Sequence, residues 1–458
     1  MTQTPTGIDQ ADIAGLRARI RGNVFRPTEE GYATVSFNAS VSRRPWAVVD
    51  AAGSDDVAAA VAFAAANDMT VAVHGTGHGA TPIDGRSLLV RTGALDTCEI
   101  DPATRTARVG AGVRWQRVIE AAAQFGLAPL CGSAPGVGVA GFLSGGGIGP
   151  LVRSVGVSSD YVRAIEMVTG DGRLRRVSAD ADPDLFWGCR GGKATLGIVT
   201  ELEIELLPIA EFYGGAVYFD GADAAAVLAA WQRWTQDLPR EASTSIALLR
   251  LPDMPGVPPM LAGKLTVAVR YASVADADTA ASTFAPMRAV ATPILDAVGT
   301  MPYAAVGMIH ADPTDPKPAY ENGMLLSGLP DDAVRTLLDH AGPEVASPLL
   351  LVELRLLGGA FAEQRGPDSA VCHRDAALNM HVVGVLVPPI ADIVPGHADR
   401  LLGDMSEWAT GGRLPNFTAS TDPERVRSCY DEKTAAWLAA LALQHDPGGV
   451  LGVGQVVR

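Results

Sequence analysis

Residues 70–79, Thr-Val-Ala-Val-His-Gly-Thr-Gly-His-Gly, decide the prediction of the fold. Upstream of them, Ala47–Asp50 is short and apolar, and Ser54, Asp55 and Asp56 are expected to cap a helix that runs through Ala66. The β-branched run Thr70–His74 is typical of a strand. The alternate glycines after it let a loop turn its backbone N–H groups toward one point. The sequence therefore predicts a βαβ-like unit that ends in an anion-binding loop.

A second glycine-rich stretch lies further along the chain. Cys131–Pro150 contains eight glycines in twenty residues. Within it, Gly136, Gly138 and Gly141 satisfy G-x-G-x-x-G, and Asp160 follows, as in a Rossmann dinucleotide site. That site needs a strand before the glycines and a helix after them, but prolines precede these glycines and three more glycines follow. An extended glycine loop along a pyrophosphate fits better.

The sequence changes character after Pro208. From residue 209 to residue 412, longer strand and helix patterns alternate, which predicts a second domain. In its predicted strand Leu349–Leu357, Glu353 and Arg355 share one face, opposite apolar residues. Asn379 and His381 share a face in the same way. These faces indicate either a pocket or a solvated surface with an ion pair.

Composition excludes several classes of protein. The chain of 458 residues has 36 basic and 51 acidic side chains, a net charge of −15, and no basic stripe for nucleic acid or anionic membranes. Its N-terminus, Met1 to Ile20, lacks the apolar core of a secretory signal, and no apolar run would cross a membrane. Its five cysteines form no disulfide or zinc spacing. We therefore expect a cytoplasmic protein. We also expect no metal site, because the glycines around His74 and His78 keep the two histidines from sharing a helix face.

Five motifs, taken together, carry a resemblance. They are Val71–His78, Pro135–Gly141 with Gly145–Gly149, Gly156–Val162 with Asp160, Asp184–Gly192, and Tyr430 to Pro447. In this order they resemble the berberine-bridge-enzyme-like branch of the vanillyl-alcohol-oxidase, or PCMH-type, FAD oxidoreductases, which includes the 6-hydroxynicotine oxidases. The first looks like the family's V-x-x-R-G-x-G-H loop, whose histidine bonds the 8α-methyl group of the flavin, and the fourth looks like its D-L-x-W-x-x-R-G-G block.

The resemblance implies an α+β fold of two domains. Residues 1–208 are expected to form a PCMH-type FAD-binding domain, residues 209–412 an α/β substrate domain on an antiparallel sheet, and residues 413–458 a segment that returns to the FAD domain. It also implies FAD attached covalently through His78. The residues expected to contact FAD are His74, Gly75, Thr76, Gly77, His78, Gly79, Pro135, Gly136, Val137, Gly138, Gly141, Gly145, Gly146, Gly147, Asp160, Gly197, Ile198, Val199 and Asn416.

The sequence also departs from the family pattern. Ala134 stands where some members carry a cysteine bonded to flavin, so no cysteinyl link is expected, and Lys193 begins a run that is more often glycine-rich. Phe417, after Asn416, replaces a tyrosine whose phenol often acts as base. The candidate catalytic residues are therefore His381, Glu353, Asn416 and His373, with His381 or Glu353 as base.

These expectations lead to one leading function. The resemblance implies an oxidase or dehydrogenase that takes hydride from a C–OH or C–N carbon of a small organic molecule to flavin N5. Val137, expected near the oxygen-facing edge of the flavin, favours O₂ as acceptor. Two alternatives stay open: an oxidative cyclase of a secondary metabolite, and a flavin-scaffold protein that binds a small molecule without turnover. The chain is expected to be a monomer or a homodimer.

Overall fold

A computed structural model describes residues 12–458; the predicted absence of a secretory signal, and the start of the predicted first domain, fall partly outside this range. The first sheet is a small mixed sheet with strand order β1-β2-β4-β3. Its elements are α1 (Ile13–Arg19), β1 (Asn23–Phe25), β2 (Ala47–Asp50), α2 (Ser54–Ala66), β3 (Thr70–His74) and β4 (Ser87–Arg91). The predicted strand, helix and strand are confirmed at β2, α2 and β3.

The first helix of the βαβ-like unit differs from the prediction in its cap. Gly53 is the N-cap of α2 and offers no side chain, so the cap expected from the Ser54 region is absent. Asp56 instead accepts hydrogen bonds from the N–H groups of Arg21, Gly22 and Ala52 at 2.8–3.0 Å. This buried carboxylate joins the segment before β1 to the start of α2.

The second sheet is antiparallel, with strand order β5-β6-β9-β7-β8. The alternating runs on either side of the turn Gly170-Asp171-Gly172 predict a hairpin, and the pairing of β7 with β8 confirms it. The elements of this part of the chain are β5 (Cys98–Asp101), β6 (Thr106–Gly110), α3 (Trp115–Ala123), α4 (Val139–Leu143), α5 (Val152–Val155), β7 (Val162–Val168), β8 (Leu174–Ser178), α6 (Pro183–Cys189) and β9 (Ile198–Glu205).

The third sheet is antiparallel and has eight strands, in the order β13-β10-β12-β11-β16-β17-β15, with β14 also paired to β10. Its strands are β10 (Glu211–Asp220), β11 (Ala242–Arg250), β12 (Leu265–Ser273), β13 (Leu295–Asp296), β14 (Gly299–Pro302), β15 (Ala319–Leu326), β16 (Leu351–Leu356) and β17 (Leu378–Val385). Four helices accompany it: α7 (Ala224–Gln236), α8 (Ala277–Arg288), α9 (Asp331–Ala341) and α10 (Val394–Asp404).

The two faces of this sheet differ, because side chains alternate along each strand. On one face, residues such as Val352, Leu354, Met380 and Val382 pack against the four helices in one hydrophobic core. The opposite face carries Glu353, which lies directly across from His381 in the register of β16 and β17. The third sheet thus turns its polar face toward the rest of the molecule.

The end of the chain packs on the first sheet. After α11 (Pro423–Arg427) and α12 (Glu432–His445), Val450 and Leu451 enter the same hydrophobic core as α2 and β2. The Val71 N–H donates to the Val450 carbonyl at 2.7 Å. Among residues 12–458, no helix combines the length and the hydropathy that crossing a membrane requires.

Candidate functional site

A cavity of about 460 Å³ lies where the glycine-rich loops meet the polar face of the third sheet. The sheet contributes Ala319, Glu321, Leu351, Glu353, Arg355, His381, Val383 and Val385 to its wall. Of the residues predicted to contact FAD, the following line it: His74, Gly75, Thr76, Gly77, His78, Gly79, Val137, Gly138, Gly141, Gly197, Ile198, Val199 and Asn416. Segments more than 300 residues apart in sequence therefore form one wall.

The loop after β3 gives its two histidines different surroundings. The Nδ1 atom of His74 lies 2.6 Å from Nη1 of Arg43, so this ring already has a partner. The His78 ring stacks on Phe37 with centroids 3.8 Å apart, and we find no hydrogen-bond partner for it within residues 12–458. Burial, and next the charge of Arg114, lowers the pKa of His78 to about 4. At neutral pH the His78 ring is therefore uncharged, with a nitrogen lone pair available.

Several glycines in the wall keep space open. A Cβ atom built on Gly79 or Gly141 would meet no protein atom within 4 Å. Gly77, in contrast, has a φ of +78°, and a Cβ there would lie 2.9 Å from the His74 ring, so the loop conformation itself requires this glycine. The first two glycines leave room for something other than protein.

The two glycine-rich motifs are held together directly. The Gly138 N–H donates to Oγ1 of Thr76 at 3.1 Å, and the carbonyl of Gly136 accepts from Nη1 of Arg114 at 2.7 Å. Arg114 also lowers the pKa of both loop histidines, after burial and, for His74, after Arg43 and Arg91. Positive charge therefore lies beside the loop, in a chain whose net charge is −15.

On the sheet side, Glu353 is enclosed by donors. Its side chain is 1% exposed and accepts from Nη1 of Arg270 at 2.6 Å, from Nε of Arg355 at 2.7 Å and from Oγ of Ser245 at 2.9 Å. Burial alone would raise the pKa of Glu353, but the charges of Arg355 and Arg270 hold it well below its usual range. Glu353 is therefore a fixed anion that orients Arg355.

His381 has a different environment across the same strand pair. Its ring meets the Phe417 ring edge-on, with centroids 5.2 Å apart, and the guanidinium carbon of Arg355 lies over the Phe417 ring, 5.2 Å from its centroid. Burial lowers the pKa of His381 to about 4, although Glu353 opposes the shift. The ring is neutral at physiological pH and lines the cavity, as a proton acceptor must.

The structure corrects the expected positions of two site residues, Asp160 and His373. Asp160 accepts from Nη2 of Arg374 with both oxygens, at 2.9 and 3.1 Å, and its side chain is 1% exposed. His373 lies beside Gly412, and its Nε2 atom is 3.1 Å from the Ser428 carbonyl. Neither lines the cavity. Instead, Asp160 binds Arg374 of the long loop that follows β16, and His373 is itself part of that loop.

Five residues of the second glycine-rich stretch also do not line the cavity. A Cβ on Gly147 would overlap the Phe142 ring, and one on Gly146 would lie 3.0 Å from Val371. Gly146 and Gly147 are needed for close packing. A glycine-rich motif alone does not show whether its glycines serve close packing or contact with a ligand. The residues concerned are Pro135, Gly136, Gly145, Gly146 and Gly147.

Sequence reasoning missed several wall residues. Phe37 and Arg43 come from the loop before β2, where no pattern indicates a site. Asp312 and Lys317 come from the loop before β15. Glu321 could have been found, because it occupies the same alternating face of β15 as the cavity-lining residues of β16 and β17. Burial raises the pKa of the Glu321 carboxyl.

Part of the chain is similar in sequence to known proteins. Residues 45–178 match the FAD binding domain family. Over 192 residues, the chain is 32% identical to (R)-6-hydroxynicotine oxidase of Paenarthrobacter nicotinovorans, an alignment that covers 41% of this chain and 42% of that enzyme. The aligned part spans about half the length, or less, of the curated relatives that the chain matches.

Solved structures extend the likeness to the whole fold. The crystal structure of 6-hydroxy-D-nicotine oxidase from Arthrobacter nicotinovorans superposes with a TM-score of 0.83 at 23% identity, covering 96% of this chain and 98% of that one. A variant of berberine bridge enzyme gives 0.82 at 17% identity, covering 97% and 99%. The open space at Gly79 and Gly141 and the cations near the loop fit FAD. Residues 45–178 therefore form an FAD binding domain, and the chain as a whole has the fold of these solved FAD-linked oxidoreductases.

Proposed function

We propose that this protein holds FAD covalently through His78 and oxidises a C–OH or C–N carbon of a small organic molecule, with O₂ as the electron acceptor. The observation that carries the proposal is that the loop of His78 lines the same cavity as His381 and Arg355 of the third sheet. When bound, FAD supplies the two-electron chemistry, and the protein supplies binding, orientation and electrostatics.

The contacts of the two loop histidines support His78 as the point of attachment. A histidine that forms a covalent bond must be neutral and must offer a free ring nitrogen. Both rings have a pKa lowered to about 4, but the Nδ1 atom of His74 is engaged by Arg43. His78 meets both conditions, and stacking on Phe37 fixes its ring plane.

Charge supports the placement of the diphosphate of FAD along the loop. Arg43 lies against His74, and Arg114 lies against Gly136. Backbone N–H groups of the glycine loop and the Arg43 guanidinium group in the cavity wall, with Arg114 at longer range, would compensate a diphosphate, which the net charge of −15 would otherwise repel. The first two sheets would then form the FAD domain, and the third sheet the substrate domain.

We assign the base to His381 and a positioning role to Glu353. The neutral His381 ring faces the cavity and can accept the O–H or N–H proton of a substrate as its C–H bond breaks. Glu353 is saturated by donors and permanently ionised, so it holds Arg355 in place. Phe417 cannot accept a proton, and it contacts both His381 and Arg355.

The oxidase assignment draws on Val137 and on the relatives. Val137 lines the cavity, where a small β-branched side chain leaves the approach of O₂ open. The relative aligned over 192 residues is named as an oxidase. Substrate class is proposed from this family context and from the polar wall of the sheet.

The test begins with the colour of the purified protein. Its absorption spectrum is recorded before acid precipitation and again on the redissolved pellet, for the wild type, His78→Ala and the matched control His74→Ala. We expect yellow colour in the wild-type and His74→Ala pellets, and in the supernatant for His78→Ala. Colour that leaves with the supernatant in the wild type contradicts the covalent link, and a protein that takes up no FAD contradicts the whole proposal.

A second experiment separates oxidation from the two other functions. Small alcohols, hemiacetals and amines are screened for anaerobic bleaching of the flavin, and air is then admitted. Reoxidation with stoichiometric H₂O₂ supports the oxidase. A product that has gained a ring indicates a cyclase, and a ligand that shifts the spectrum without bleaching it indicates a binding protein.

A further inference from the structure

Lys193 is an unusual residue in the cavity wall. Its backbone has a φ of +55°, a left-handed conformation that glycine adopts freely and other residues adopt at a cost. Its ammonium group donates to the Gly141 carbonyl at 3.2 Å and to Oδ1 of Asn416. No carboxylate pairs with it in the part of the chain that the structure describes, and burial lowers its pKa to about 8.

The neighbours of Lys193 form a fitted site for its side chain. A Cβ on Gly145 would lie 2.6 Å from Cε of Lys193, so the lysine packs on a glycine that leaves it room. Asn416 is fixed in turn, because its Nδ2 atom donates to the Phe142 carbonyl at 2.9 Å. The chain therefore accepts both a strained backbone and a cation without a counter-ion at a position where glycine would avoid both. Such a combination points to a use for the charge.

The position of Lys193 indicates which part of the cofactor would meet that charge. The arginines Arg43 and Arg114 lie beside the loop of His78. Lys193 lies instead against Asn416, whose neighbour Phe417 contacts both His381 and Arg355 on the sheet. The lysine is thus at the substrate end of the cavity, where the flavin ring must lie to reach a substrate, and not among the cations proposed for the diphosphate.

We propose that the Lys193 ammonium group supplies the positive charge that stabilises the reduced flavin ring, so that the reduction potential of the bound cofactor depends on this side chain. The inference rests on the proposed function, because it assumes FAD in the cavity. A hydride carries two electrons and one proton, so the flavin ring gains one unit of negative charge when it accepts a hydride. A cation beside the ring favours that state, and charge near the ring is one of the means by which a protein sets flavin potential.

The test measures the reduction potential by anaerobic equilibration with a reference dye, which needs no substrate. In Lys193→Met we expect the equilibrium constant for reduction to fall at least tenfold, about 30 mV for a two-electron couple. Lys193→Arg keeps the charge and should stay within threefold of the wild type. Lys317→Met is the matched control, since it removes a cation from the cavity wall but not from the Asn416 site.

Lys193→Gly adds a second readout. Glycine relieves the left-handed backbone and removes the buried cation, so we expect an unchanged or higher midpoint of thermal unfolding together with the same loss of potential as in Lys193→Met. A lysine that only supports the fold would give the opposite pattern, a lower midpoint and an unchanged potential, which would overturn the inference.

Three other results also decide the matter. A Lys193→Met protein with a normal potential but little bound FAD would assign the lysine to the diphosphate. An equal fall in Lys193→Arg and Lys193→Met would show that the charge is not what matters. A wild type that holds FAD but oxidises no substrate would refute the proposed function, while the measured potentials would still test the role of Lys193. A protein that cannot be loaded with FAD would refute both the proposed function and the role of Lys193.

Discussion

The buried carboxylate of Glu353 provides the sharpest quantitative prediction. Replacing it with glutamine keeps the shape of the side chain but removes the charge that faces Arg270 and Arg355. Both guanidinium groups are then left in the interior without an anion, and the side chains of Arg270 and Arg355 are only 4% and 12% exposed. His310, 3.3 Å from the Glu353 carboxylate, cannot replace the lost anion, because a histidine is only ever neutral or cationic; burial and then Arg270 lower its pKa to about 4, so it is neutral here.

The expected cost follows from the geometry. Removing one partner of a buried ion pair costs about 3–5 kcal/mol, because the remaining charge stays buried. Asp160→Asn is the matched control: its side chain is also 1% exposed and bound to an arginine, but burial raises the pKa of Asp160 in spite of Arg374. Since burial makes the ionised form of Asp160 less favourable than it is in water, we expect this change to cost about 1–3 kcal/mol, as for a lost hydrogen bond.

Glu353 and Asp160 should affect the pH dependence of folding stability in opposite directions. The pKa of Glu353 is lowered on folding, so its contribution to stability is complete above the unfolded pKa of about 4.3 and is lost as pH falls toward the folded pKa. The pKa of Asp160 is raised, so the folded state binds more protons, and its effect favours folding as pH falls. The stability difference between wild type and Glu353→Gln should therefore shrink below about pH 4.

The assay is urea unfolding followed by tryptophan fluorescence, at pH 7 and at two pH values below 4.5, for wild type and both variants. Activity is measured on the same samples. We expect kcat/KM to fall about tenfold to 100-fold in Glu353→Gln, because Arg355 loses its orientation, and to stay near the wild-type value in Asp160→Asn. A loss of stability below about 1 kcal/mol at pH 7 in Glu353→Gln would refute the reading of Glu353 as a fixed anion between two arginines.

Three further changes probe the cavity and its support. His381→Ala should lower kcat/KM by about 100-fold to 10,000-fold, and wild-type activity should fall as pH drops through about 4, where the ring gains its proton; an acid limb well above that value would assign the base to another group. Gly141→Ala should leave the stability of the FAD-free protein unchanged and reduce its FAD content. Gly85→Ala, equally free of contacts but outside the cavity, should change neither quantity. FAD content is measured as flavin absorbance per protein, and equal FAD content in both variants would contradict the cavity assignment. Asp446→Ala should destabilise the protein by about 1–3 kcal/mol, because the N–H groups of Val450 and Leu451 lose their acceptor; an unchanged urea midpoint would show that this carboxylate does not anchor the chain end.

The sequence predicted what depends on neighbouring residues. The elements β2, α2 and β3 lie where short-range patterns indicate, and so does the hairpin of β7 and β8. Alternation along β16 correctly separated the face of Glu353 from the face of Val352 and Leu354, because a strand has a period of two.

What the sequence could not predict depends on distant partners. Asp160 follows a glycine motif at a spacing that suggests cofactor contact, yet its partner Arg374 lies 214 residues away. Glu353 was a candidate base until the structure placed Arg270, 83 residues away, against its carboxylate. A single sequence shows which residues can titrate, but not which of them are already neutralised.

The bond between Val71 and Val450 joins the strand that leads into the loop of His78 to the last residues of the chain. The core of the first sheet is incomplete without Val450 and Leu451, and Thr195 receives a hydrogen bond from the backbone of Val457. A nascent chain cannot make these contacts until its final segment has left the ribosome. Under the proposed function, loading of FAD would therefore wait until residues 450–457 have been synthesised.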